Sequence, residues 1–167
     1  MALKSISLNH VRYETGDKLG HFLAWISLLP IFIGLGRFLT HFIFRRELQA
    51  IFFALGILIS DFINELINKS IQQARPNTCI ALEMCDSHGF PSSHSQYMEF
   101  FVVYLSLLVS KGIGISNKRS KIVIASLPWL FIVLTMYSRV YLGYHTVAQV
   151  YVGGNLGLFW VLYGFGL

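Results

Sequence analysis

Five apolar stretches dominate this chain of 167 residues, at about 21–44, 48–67, 96–115, 122–141 and 146–167. Each has about 20 residues or more, and at ~1.5 Å rise per residue that length covers the ~30 Å hydrocarbon core of a bilayer. In lipid, backbone groups must be satisfied within their own segment, so these runs are expected as helices rather than open strands. The third run is the weakest, because Lys111 and Gly112 interrupt its end. Composition points the same way. The chain is 54% hydrophobic and 13% charged, against roughly 25% charged in ordinary soluble domains. The expected fold class is all-α: a polytopic transmembrane helix bundle of about five spans, forming one membrane-embedded domain over residues 1–167.

The net charge of +5 does not point to nucleic acid, because the bases are scattered between apolar runs. They fit loop charges that orient a membrane protein. If all five runs span, the N-terminus, the 68–95 loop and the 142–145 turn share one side. The other side carries Arg45, Arg46, Lys111, Lys118, Arg119 and Lys121, with Arg37 able to snorkel toward it. The first side has only Lys4, Arg12 and Lys18 as plain loop charges, so the positive-inside rule places the second side in the cytosol. Residues 1–18 lack an apolar signal core, and Glu14 and Asp17 argue against an organellar transit peptide. No internal repeat is evident. Gly153, Gly154 and Gly157 in the last run are expected to let helices pack closely.

Two polar clusters sit at the ends of these apolar runs. Arg75-Pro76 is followed by Pro91-Ser92-Ser93-His94, and Ser138-Arg139 by His145 six residues on. A single arginine near a helix end often just snorkels to the headgroups. Two on one face, each followed by a histidine, point instead to phosphate, whose oxygens suit guanidinium forks. His94 lies near the expected start of the third helix, where free N–H groups and the helix dipole favour anions. Ser92 and Ser93 add hydroxyls there, either as donors or as an ordinary N-cap. His145 precedes the last helix with Gln149 four residues later, a spacing that lets the Gln149 carbonyl accept from one ring nitrogen and aim the other. One histidine can supply a nucleophile and the other a proton.

In this order, Arg-Pro, Pro-Ser-x-His and Ser-Arg-x5-His, the chain resembles the type 2 phosphatidic acid phosphatase superfamily. The runs Gly89-Phe90-Pro91-Ser92-Ser93-His94-Ser95-Gln96 and Tyr137-Ser138-Arg139-Val140-Tyr141-Leu142-Gly143-Tyr144-His145-Thr146 resemble its dolichyl-diphosphatase branch. The stretch from His10-Val11-Arg12-Tyr13 to Leu23-Ala24-Trp25 is similar to plant lipid phosphate phosphatases. The resemblance implies a phosphatase that needs no metal or cofactor and works through a phosphohistidine. His145 would attack phosphorus and His94 would protonate the leaving oxygen. Arg75, Arg139, Ser92, Ser93 and Lys69 would hold the phosphoryl oxygens, with Gln149 orienting His145.

Three positions depart from the superfamily pattern. Its lysine, seven residues before the Arg of Arg-Pro, corresponds to Asn68, with Lys69 one residue late. That shift turns a helical side chain by about 100°. Ser93 stands in place of a glycine. Gln149 stands in place of an aspartate; it can orient an imidazole but not neutralise an imidazolium. The serine and the glutamine are shared with the dolichyl-diphosphatase branch. The chain stops at Leu167 inside an apolar run, whereas relatives continue, so a C-terminally truncated domain is expected.

Other polar residues carry less. Asp61, Asn64, Glu65 and Asn68 share one side of the second run and are expected to pair with Lys69 or a site arginine. Glu99 is a candidate for structural pairing. Cys79 and Cys85 can form a lumenal disulfide or stay free, their spacing does not suit zinc, and His88 reads as a loop histidine.

The leading expectation is a lipid phosphate phosphohydrolase acting on dolichyl (polyprenyl) diphosphate. It would support protein N-glycosylation, in the endoplasmic reticulum with its site facing the lumen. One alternative is a phosphatidate phosphatase of glycerolipid synthesis, in a plastid envelope. Another is an inactive lipid-phosphate-binding short form. The expected partners are the lipid phosphate and the bilayer. The sequence leaves oligomeric state open.

Overall fold

The computed structural model describes residues 3–6, 11–40, 48–78, 80, 87–111 and 117–164. Arg45, Arg46, Cys79 and Cys85 fall outside them, and with them the disulfide question. Five long helices are present among the described residues, one for each apolar run: α1 (Lys18–Leu39), α2 (Leu48–Ile71), α3 (Ser93–Ser110), α4 (Lys118–Tyr141) and α5 (Val147–Gly164). Within α2 and α4, Ile51–Ile71 and Ile122–Tyr141 are long and apolar enough to cross a membrane, each with mean hydropathy 1.6. Both segments are mostly exposed, unlike the core helix of a soluble protein. Leu58, Phe62 and Val133 point outward, which is the pattern lipid favours and water does not.

The core lies between α2, α3, α4 and α5. Phe53, Phe100, Phe101, Val102, Leu105, Ile132 and Val161 are buried in one cluster. Its most extensive contact is α3 on α5, and glycines make that contact possible, as expected. A Cβ at Gly153 would collide with the Ser92 backbone, and one at Gly157 with the carbonyl of Gln96. Gly154 faces Met136, a flexible neighbour that can yield. Gly153→Ala and Gly157→Ala are each expected to cost about 1–3 kcal/mol, the scale of forced overpacking. Gly36 has open space around it, so Gly36→Ala serves as the control that leaves the melting temperature in detergent unchanged.

The polar side of α2 is shared among several partners. Gln96 of α3 donates to the Ser60 carbonyl (2.8 Å) and hydroxyl (2.6 Å) and accepts from Asn64. Asn68 reaches the loop before α3. Glu65 takes Lys69, so the expected pairing with Lys69 occurs and the pairing with a site arginine does not. Glu99 faces Gly154 and Gly157.

One element was not legible in the sequence. Two short strands, β1 (Leu3–Ile6) and β2 (Val11–Glu14), pair antiparallel ahead of α1, with Leu3 opposite Glu14 and Ile6 opposite Val11. Val11 is buried with Ala24, Leu28 and Tyr144. The backbone N–H of Arg12 donates to the Tyr144 hydroxyl at 2.8 Å. The hairpin therefore holds the residue next to His145.

Candidate functional site

The C-terminal end of α2, the N-terminal end of α3, the C-terminal end of α4 and the start of α5 lie at one end of the bundle. The last three deliver residues singled out in the sequence, and Arg75 lies in the segment that follows α2.

The turn between α4 and α5 is fixed locally. Gly143 has φ +75°, a left-handed conformation open to glycine at a helix end. Its N–H reaches the Val140 carbonyl and that of Tyr144 reaches Arg139, closing a Schellman turn. The Thr78 hydroxyl donates to the Gly143 carbonyl at 2.6 Å. Two residues after Tyr144, Thr146 and Gln149 form a capping box: the Gln149 side-chain carbonyl accepts from the Thr146 N–H (3.1 Å), and the Thr146 hydroxyl accepts from the Gln149 N–H (3.3 Å). His145 is held between these two motifs.

His145 is 5% exposed. Its Nδ1 lies 2.8 Å from the Gly89 carbonyl. A carbonyl only accepts, so Nδ1 carries the proton and Nε2 keeps its lone pair. Nε2 stands 3.5 Å from Arg75 Nη1, a group that can only donate. Gln149, the expected orienter, stands beside the His145 ring and favours its protonated form, while it also serves other partners. Its carbonyl is engaged in the capping box, and its amide donates to Gln73 Oε1 (3.2 Å) and the Ala74 carbonyl (3.0 Å). The Gly89 carbonyl takes the ring proton at Nδ1. Both Gly89 and Gln149 favour the protonated ring, but burial first, and then the positive charges of Arg139 and Arg75, push His145 down to about 3. At neutral pH it is uncharged.

Arg75 is half-buried. Its Nη1 donates to the Tyr144 carbonyl (2.9 Å) and its Nε to the Ser87 hydroxyl (2.8 Å). Burial lowers its pKa, and the nearby Tyr144 opposes that. Arg139 is 5% exposed, and its guanidinium carbon sits 4.3 Å from the Tyr144 ring centroid, a cation–π contact. Its Nε and Nη1 are buried without a hydrogen-bond partner. An unpaired buried guanidinium is costly, and an anion is what satisfies it.

His94 lies in the first turn of α3, ahead of the apolar stretch that begins at Gln96. Its Nε2 is also buried without a partner. Burial first, then the charges of Arg139, His145 and Arg75, hold it well below the ordinary histidine value. Ser92 sits at the N-cap position, but its side chain makes no capping hydrogen bond. Its hydroxyl accepts from Ser95 at 3.0 Å instead, and its backbone N–H reaches the Gln149 carbonyl oxygen of the main chain. The first-turn N–H groups of α3 are thus left uncapped by Ser92, as an anion site requires. A cavity of about 230 Å³ opens beside His94 and Ser93, lined further by Ser27, Ile57, Asp61, Tyr97 and Thr135.

Lys69 is the one expected phosphate ligand that the fold does not bring in. Its Nζ lies 2.6 Å from Glu65, and both side chains are mostly exposed. The α2 helix runs to Ile71, four residues beyond the expected end, and this fixes Lys69 on the outer face. Asn68, on the inner face, donates to the loop carbonyls of His88 and Phe90. The site also contains residues that the sequence reading gave no role: Tyr144, Gly89 and Gln73. Tyr144 touches both arginines, and an aromatic next to the histidine of an arginine-rich cluster is the signal that points to it. A Cβ at Gly89 would meet Gln149 at 2.9 Å and Arg75 Cγ at 3.0 Å.

The sequence matches the PAP2 superfamily over residues 49–166. It is 60% identical to lipid phosphate phosphatase gamma of Arabidopsis thaliana, the alignment covering 96% of this chain and 74% of that protein. It is 41% identical to dolichyldiphosphatase 1 of Mus musculus, covering 92% and 67%. The fold matches the crystal structure of a transmembrane PAP2-type phosphatidylglycerolphosphate phosphatase from Bacillus subtilis. There the TM-score is 0.68 at 23% identity, over 90% of this chain and 76% of that one. With a family match across most of its length and a membrane-helix bundle of the same fold, the chain belongs to the PAP2 superfamily.

Proposed function

We propose that residues 1–167 form a single membrane-embedded phosphohydrolase domain that cleaves lipid phosphates through a phosphohistidine, without a metal. The observation that carries this reading is His145: buried, neutral, with its proton fixed on Nδ1, its Nε2 lone pair facing Arg75, and the charge of Arg139 also acting on the ring. Attack by Nε2 forms the N–P bond as the bond from phosphorus to the leaving oxygen breaks. His94 gives that oxygen its proton. His94 then accepts a proton from water as the water attacks the phosphohistidine, releasing inorganic phosphate and restoring His145. Splitting one step into two is the use of a covalent nucleophile, and the arginines stabilise charge on the transferring group. Burial first, and then the charges of Arg139, His145 and Arg75, oppose protonation of His94. A bound phosphate offsets the arginines' share of that opposition and so favours the protonated ring that the first step uses.

The proposed substrate is dolichyl diphosphate, and the proposed location is the endoplasmic reticulum with the site on the lumenal side. The similarity to dolichyldiphosphatase 1 supports this. A second reading, phosphatidate hydrolysis, is favoured by the higher identity to the plant lipid phosphate phosphatase. The deciding experiment measures phosphate release from both lipids by the membrane-embedded chain with EDTA present. Release from dolichyl diphosphate that survives EDTA is the expected result. Preference for phosphatidate moves the function to glycerolipid synthesis. Loss with EDTA, restored by a divalent ion, overturns the metal-free mechanism. Release from neither by folded protein leaves a binding role.

A further inference from the structure

We infer that Asn68 is a positioning residue for His145, acting through the peptide of Gly89; the inference rests on the proposed role of His145 as nucleophile. The Asn68 amide donates to the carbonyls on both sides of Gly89, at 3.3 Å to His88 and 3.0 Å to Phe90. A side-chain amide has two N–H donors, and both are used here. The Gly89 N–H is held in turn by the Gln73 carbonyl at 2.8 Å. Three hydrogen bonds therefore clamp one short segment, and the Gly89 carbonyl is left for His145 Nδ1 at 2.8 Å. That carbonyl decides which ring nitrogen keeps its lone pair. Packing adds to the clamp, since Gly89 lies against Gln149 and Arg75 with no room for a side chain. Asn68 touches neither phosphate ligand nor reacting atom. Its effect is to hold the acceptor that fixes the His145 tautomer. It also accounts for a neutral amide on the inner face of α2 while the lysine beside it points outward to Glu65.

The test uses Asn68→Leu, which keeps the size and loses both donors. Asn68→Asp replaces the donating group with an oxygen facing two carbonyls. Asn68→Gln is the conservative rescue. All are compared as full chains in detergent or bilayer, with folding checked by thermal melting. Nitrogen-15 spectra of labelled histidine report the tautomer, and the His145 signal is identified by its loss in His145→Ala. The expected result is a single Nδ1–H tautomer in the parent, a mixture in Asn68→Leu and Asn68→Asp, and partial return in Asn68→Gln. For lipid phosphate turnover, kcat falls about 10- to 100-fold, the scale of a small misplacement of a reacting group, while KM stays within about twofold. A folded Asn68→Leu protein that keeps the parent tautomer overturns the inference, whether its activity falls or not. A tautomer shift in Asn68→Leu, when the parent hydrolyses no lipid phosphate, supports the clamp and rejects the phosphatase reading.

Discussion

His145→Ala abolishes turnover, by on the order of 10⁴-fold or more, the scale on which loss of a catalytic nucleophile acts, while the helix bundle stays folded. The reasoning starts from position. The ring sits between a Schellman turn and a capping box whose backbone bonds do not involve its side chain. Removing it deletes one hydrogen bond to Gly89 and some packing, so the melting temperature falls modestly. On the proposed mechanism phosphate release by contrast needs the Nε2 lone pair. A second measurement separates nucleophile from general base. Brief incubation with substrate labelled in its terminal phosphate traps an acid-labile, alkali-stable phosphoprotein in the parent and in His94→Ala, but none in His145→Ala. Label on His94, or undiminished release from His145→Ala, contradicts the assignment. Acidification gives an independent check. His145 is held at about 3 in the fold, against ~6.5 in an unfolded chain. The unfolded state therefore binds the extra proton first. The stability associated with a neutral His145 is fully present above about pH 6.5 and is lost as pH falls toward 3.

Much of this fold was readable because membrane helices depend on short-range properties. Length and hydropathy alone located α1 to α5, and the spacing of Gly153 and Gly157 pointed to close packing. Arg75, His94, Arg139 and His145 meet at one end because each lies near an end of its apolar run on the same side of the count. What escaped the sequence depends on direction rather than on location. Lys69 and Asn68 are neighbours, yet a rotation of about 100° per residue sends one out to Glu65 and the other in to the Gly89 loop. The Glu65–Lys69 spacing of four was itself a signal for an outward pair. Gln149 was placed near His145 by its spacing, and it does act on that ring; that Thr-x-x-Gln also spells a capping box that uses its carbonyl went unread. Gly89 lies 56 residues from His145 and offers a backbone carbonyl, a group that carries no mark in sequence. The β1–β2 hairpin is four residues per strand, too short for alternation to stand out.

Arg139 is expected to show function opposed to stability. It is buried, with two guanidinium nitrogens lacking partners and one aromatic face as its compensation. A cation–π contact contributes about 0.5–2 kcal/mol, less than the several kcal/mol that an unpaired buried charge costs. Arg139→Met keeps much of the apolar volume against Tyr144 and removes the charge. Its melting temperature in detergent is therefore expected to equal or exceed the parent's. Activity goes the other way. With one of the two guanidiniums proposed to bind phosphate gone, kcat/KM falls about 10²–10³-fold, the effect of deleting one preorganised group that stabilises transition-state charge. The histidine reports the same change independently. After burial, Arg139 is the largest cause that lowers His145. Removing its positive charge makes protonation of the ring easier, so the His145 pKa rises above about 3 in Arg139→Met. A nitrogen-15 titration of the free protein follows that rise directly. A sharp drop in melting temperature with activity retained would mean that Arg139 is a structural cation held by Tyr144. A stable protein with lost activity and a raised His145 pKa identifies Arg139 as a guanidinium placed for phosphate rather than for stability.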